Sequence, residues 1–122
     1  MGMTNKDQII DLSYLKEIGA GNKDFINELI DMFFEQIPEY QKSLNDFYSK
    51  KDWYNLGRSA HKAKSAVLMM GMNDLSSDLK KLEDYTKDGK NINDYQEIIA
   101  KFVRISDSAV QELREIKRNN LI

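Results

Sequence analysis

The sequence predicts an all-α protein: four long helices in an antiparallel up-down bundle, with a short helix in front. Three observations predict it. Apolar residues recur at the helical period, and no convincing run alternates with the period of a strand. The single proline, Pro38, and the sparse glycines leave long uninterrupted stretches between turn signals. Short connections between long amphipathic helices make sequence neighbours antiparallel.

The short helix is expected over Asp11 to Ile18, with Asp11 capping its first turn and Gly19-Ala20-Gly21 ending it. The second is expected to start near Asn22 and to bury Phe25, Ile26, Leu29, Ile30, Phe33 and Ile37. Pro38 should kink it by removing a backbone donor, with Leu44, Phe47 and Tyr48 continuing the buried side. Asp52 is a plausible cap for the third helix, whose seam runs Trp53, Leu56, Ala60, Ala63, Val67, Met70. Gly71 should end it, and Asn73 should cap a fourth helix carrying Leu75, Leu79 and Leu82. Asp88-Gly89-Lys90-Asn91 reads as a loop. The last helix, from about Ile92, is expected to bury Tyr95, Ile98, Phe102, Ile105, Ala109, Leu113 and Ile116. Residues 1–10 are expected to be a flexible N-terminus, and 11–119 the bundle.

The chain has 122 residues, enough for one domain with one modest core. Charged residues make up 31% and hydrophobic ones 41%, as in soluble globular proteins. There is no Cys, which excludes disulfide and thiolate chemistry, and a single His leaves only carboxylates as further metal ligands, so no metal site is expected. No apolar run approaches the roughly 20 residues of a membrane helix. Met1 to Asp7 lacks the basic-then-apolar pattern of a signal peptide. A cytoplasmic monomer is the expectation. The net charge of -2 argues against a nucleic-acid binder. Yet Lys50, Lys51, Arg58, Lys62 and Lys64 face only Asp52 between positions 50 and 64. A local basic patch of that kind suits an acidic or phosphorylated target.

His61 is the only histidine. It follows Ala60, so it is turned about 100° from the buried seam. Its neighbours one turn away are Gly57, Arg58, Lys64 and Ser65. A mid-helix Gly costs about 1 kcal/mol relative to Ala. Gly57 and Ser65 are both small, and together they would leave the imidazole reachable by a bulky partner. A neutral imidazole has a free ring-nitrogen lone pair near neutral pH. Exposure allows in-line attack on phosphorus, and the Lys64 ammonium can stabilise the anionic group in transit. The competing reading is a surface histidine without a role. No Ser/His/Asp order or Gly-rich phosphate loop supports an enzyme, and no ATP-binding fold fits in the remaining length. Glu83 and Asp84, adjacent and so on different helix faces, read as solvated charge.

Ala60-His61-Lys62-Ala63-Lys64-Ser65 through Gly71 resembles the signature of histidine-containing phosphotransfer (HPt) domains. That pattern reads A-H-x-L-K-G-S with a further Gly ten residues after the His, and Ala60, His61, Lys64 and Gly71 match it. Gly19 through Pro38 is similar to the family's lead-in, and Leu75, Leu79, Leu82 and Glu83 to its L-x-x-x-L-x-x-L-E run. The resemblance implies a non-enzymatic carrier. His61 would take a phosphoryl group from the aspartyl phosphate of one response-regulator receiver domain and pass it to another, with a hybrid histidine kinase upstream. The receivers would supply Mg²⁺ and the acidic pocket, and Lys64 would neighbour the phosphoryl group. The chain departs from the pattern at Ala63, Ser65 and Ala66, where the family has Leu, Gly and Ser. Docking should survive Ser65 with altered partner preference, and its hydroxyl could bond the phosphoryl group. The alternative is a degenerate module that binds receivers without being phosphorylated. Gly57, Arg58, Leu68, Met69, Met72 and Phe34 are the candidate docking residues. For the Met and Phe positions the competing reading is bundle core.

Overall fold

The structure, a computed structural model, describes residues 9–122. Among these residues it is all-helical: α1 (Ser13–Gly19), α2 (Lys23–Ser49), α3 (Trp53–Met69), α4 (Asn73–Asp88) and α5 (Ile92–Arg118). The predicted flexible terminus falls mainly on residues 1–8, outside the described residues. Ile9 and Ile10 are held against α5, where their backbone N–H groups donate to the Glu112 carboxylate at 2.9 and 2.7 Å.

α1 begins one residue later than the capping argument places it. Leu12 is its N-cap, while the Asp11 carboxylate accepts from the Ser13 N–H just outside the helix. Ala20 and Gly21, both at positive φ, reverse the chain after Gly19. Asn22 caps α2 by accepting from the Phe25 N–H at 3.0 Å. Ile26, Ile30, Phe33, Ile37 and Leu44 form the buried side of α2. Phe25 is exposed, one position off that stripe. α2 runs through Pro38 as one helix; the proline is exposed, and the buried side continues across it from Ile37 to Leu44.

Asp52 caps α3 as expected, accepting from the Asn55 N–H. Leu56, Ala60, Ala63, Val67 and Met70 are buried, and Trp53 meets Tyr95 of α5 edge-to-face at 5.2 Å. The two alanines leave room for α4, which makes its most extensive contact with α3. Asn73 does not cap α4. Met72 occupies that position without a side-chain bond, so Asn73 is the first helical residue. In α5 the buried line is Tyr95, Ile99, Phe102, Ser106, Ala109, Leu113. Ile98, Ile105 and Ile116 are only partly buried. The line shifts because Ser106 satisfies its hydroxyl inside, donating to the Val103 carbonyl and accepting from Gln41 of α2.

α2 contacts α3, α3 contacts α4, α4 contacts α5, and α5 returns to α2, enclosing one core; α1 packs on α2. No helix among the described residues is long and apolar enough to cross a membrane.

Candidate functional site

His61 lies in the middle of α3, one residue past the buried Ala60, and its side chain is 59% exposed. It is not free in orientation. Its Nδ1 sits 3.0 Å from Oε2 of Glu83, on α4. Glu83 is 9% exposed in its side chain, and its other oxygen accepts from Lys64 Nζ at 3.2 Å. Lys87, one turn further along α4, approaches Oε2 at 3.6 Å. Glu83 thus gathers the histidine and two lysines from two helices. The prediction that Glu83 is solvated charge is corrected. Leu79 and Leu82 turn that face of α4 onto α3, and the carboxylate is carried in beside them.

Burial opposes ionisation of Glu83. The Lys64 ammonium, through its hydrogen bond and its charge, and then His61 outweigh that cost, so the carboxyl ionises below its ordinary value of 4.5. An ionised carboxylate only accepts, so Nδ1 carries the proton in the 3.0 Å bond. Lys64 Nζ stands 3.5 Å from the same nitrogen and directs its donation to Glu83 instead. With Nδ1–H so engaged, Nε2 is the ring nitrogen left to carry the lone pair of a neutral imidazole.

Gly57 also has a packing role that its position alone does not show. It is buried against α4, where a Cβ would collide with the Thr86 hydroxyl. That hydroxyl donates to the Glu83 carbonyl at 2.8 Å. The glycine lets α4 come near enough for Glu83 to reach His61, and it also lines the cleft beside the imidazole. Between the helices runs a cleft of about 540 Å³, lined by Trp53, Tyr54, Gly57, Arg58, Lys62, Thr86 and Lys87, with His61 and Glu83 on its wall. Arg58 is exposed and lies over the Tyr54 ring at 5.8 Å.

The other candidates divide. Leu68 is 49% exposed, and with Ser65 and the partly buried Met69 it lines a second cleft of about 670 Å³, shared with Tyr14 and Glu17 of α1. Met72 is corrected: it is 4% exposed, drawn into the core at the start of α4. Phe34 is also corrected. It faces α5, beneath Arg114 and Lys117 at 5.7 and 5.8 Å from its ring, and lines neither of these two clefts. Its offset from the α2 stripe brought it to the α5 side. Sequence reasoning missed Glu83, Thr86 and Lys87; the Leu-Glu pair at the end of the α4 leucine run was the one signal for Glu83.

No group of three or more His, Cys, Asp or Glu among the described residues could hold a metal ion. Comparison with curated proteins and with solved structures returned no match. The family model for the Hpt domain matches residues 28–117, a span that takes in α3, α4 and nearly all of α2 and α5 together with the His61–Glu83 pair, and the chain belongs to the Hpt domain family.

Proposed function

We propose that His61 carries a phosphoryl group between receiver domains of a two-component phosphorelay. Hpt domains are phosphocarrier modules of such relays. The observation that carries the reading is the bond between His61 Nδ1 and Glu83, which leaves the lone pair to Nε2 of an exposed side chain. In the transfer, Nε2 attacks the phosphorus of a receiver's aspartyl phosphate. The N–P bond forms as the acyl O–P bond breaks, and the receiver's carboxylate leaves. The ring then bears positive charge, and Glu83 stabilises it through Nδ1–H. The same step in reverse loads the next receiver.

Glu83 acts through His61 and is therefore a positioning residue. Lys64 and Lys87, both already on Glu83, supply the cations nearest the transferred group. Ser65, exposed one turn beyond His61, is a further contact for a phosphoryl oxygen. The exposed Arg58 and Lys62 complement an acidic receiver pocket. That pocket and its Mg²⁺ belong to the partner, and upstream stands a hybrid kinase. The three-residue connections at 50–52, 70–72 and 89–91 support an antiparallel up-down arrangement of α2 to α5. The carrier module spans 11–119, extended to Ile9 by the Glu112 bonds, and works as a cytoplasmic monomer.

The test is incubation with a panel of phosphorylated receivers. Wild type should gain acid-labile label and His61→Gln should gain none. Binding without label would favour a receiver-binding module that is not phosphorylated.

A further inference from the structure

Glu112 lies on α5 and lines neither of these two clefts, yet its carboxylate holds a distant segment of the chain. One oxygen accepts from the Ile9 N–H at 2.9 Å and the other from the Ile10 N–H at 2.7 Å. A carboxylate that takes two consecutive backbone donors fixes the direction of the segment as well as its position. The next residue is held from the opposite side. The Asp11 N–H donates to the Met70 carbonyl at 2.9 Å, at the end of α3. Gly71 follows at φ +75°, with the Asp11 backbone pressed where a side chain would be. The lead-in is thus pinned between α5 and the α3–α4 turn, and α1 starts two residues later.

α1 forms one wall of the cleft whose other wall is Ser65, Leu68 and Met69. Ser65 and Leu68 lie one and two turns beyond His61 on α3, so a partner reaching Nε2 covers this cleft. Tyr14 and Leu68 stand half exposed across it. α1 has seven residues and packs chiefly on α2, through the buried Leu15. A helix that short does not hold its place unaided. The family match begins at residue 28, so α1 and its lead-in lie outside the matched span.

We infer that Glu112 is a positioning residue for receiver docking: by latching Ile9 and Ile10 it holds α1 as the second wall of the docking cleft. It touches neither His61 nor the transferred group. Its loss therefore lowers the fraction of molecules with a formed cleft and leaves the transfer step itself intact. This rests on the receiver-transfer reading above.

The test is transfer from a phosphorylated receiver to wild type, Glu112→Gln and Glu112→Ala over a range of receiver concentrations, with hydrogen exchange on each protein. Glu112→Ala should raise the half-saturating receiver concentration about tenfold at unchanged maximal rate. Glu112→Gln, which keeps one acceptor, should show a smaller rise. Exchange should speed in α1 and stay slow in the cores of α2 to α5. Labelling of His61 by phosphoramidate, which needs no docking, should match wild type in both variants. Unchanged half-saturation, or a fall in maximal rate alone, overturns the proposal. So does loss of exchange protection across α2 to α5 in both variants, which would make Glu112 a determinant of the fold. Failure of wild type to accept label from any receiver overturns the transfer reading itself.

Discussion

At His61 the decisive partner is a residue 22 positions away on another helix. Glu83 holds the ring through Nδ1, and in the proposed transfer it would stabilise the charge that develops when Nε2 attacks. Replacing it with Gln removes the charge from its hydrogen bonds to His61 and Lys64, and the bond to His61 is the one that bears on the transfer, worth about 1.5–3 kcal/mol. Glu83→Gln should lower the maximal transfer rate about tenfold to a hundredfold, with half-saturation kept; a rise in half-saturation at unchanged rate would contradict the assigned role. The acid dependence follows from the same contacts. The Glu83 carboxyl ionises at lower pH folded than unfolded, because Lys64 and His61 outweigh its burial. Its stabilisation is complete above the ordinary value of 4.5 and is lost as pH falls through the lowered folded value. Denaturation midpoints of parent and Glu83→Gln should therefore differ near neutrality and converge in acid; a gap that widens there would contradict it. His61 was legible in the sequence as the only histidine, one residue off a buried seam. Glu83 was not: a carboxylate is rarely buried unless paired, and two of its partners, His61 and Lys64, lie on α3, beyond the reach of a helical-face argument.

Between elements, the contact of α3 with α4 rests on a missing side chain. At Gly57 a Cβ would meet the Thr86 hydroxyl, while Thr86 Cβ itself is at an ordinary 3.4 Å. Gly57→Ala should cost about 1–3 kcal/mol through overpacking. In a Thr86→Ala background the collision is gone, and the same change should be neutral or gain up to about 1 kcal/mol from helix propensity. Urea unfolding of the four proteins measures this coupling; additive costs would show that the helices do not approach through this pair. Sequence reading marked Gly57 as unusual because glycine is costly in a helix and read the space as access to His61, whose cleft it lines, but the contact with Thr86 was not legible. The spacing pattern that placed five helices correctly is blind to which neighbour fills a gap. It is equally blind to a core serine: Tyr95, Phe102, Ala109 and Leu113 are buried as expected, but Ser106, satisfied by Gln41 and Val103, takes the place expected for Ile105.

Across the whole molecule, four helices share one core, and Trp53 of α3 sits against Tyr95 of α5. Thermal unfolding followed by far-ultraviolet dichroism and by Trp53 fluorescence should give coincident curves; separated transitions would mean that the helices do not form one cooperative unit. The all-helical architecture was legible because helical periodicity survives in every long segment. The placement of α1 was less so, because the contacts that pin its lead-in come from Glu112 and Met70, far along the chain. One arrangement now links the scales. Gly57 admits α4, α4 brings Glu83, and Glu83 engages Nδ1 of the exposed His61, which leaves Nε2 for the proposed transfer. The most direct test is transfer of labelled phosphate from a phosphorylated receiver domain to wild type and to His61→Gln. Acid-labile label on wild type and none on the variant is the predicted result; label on His61→Gln at the wild-type level would contradict it.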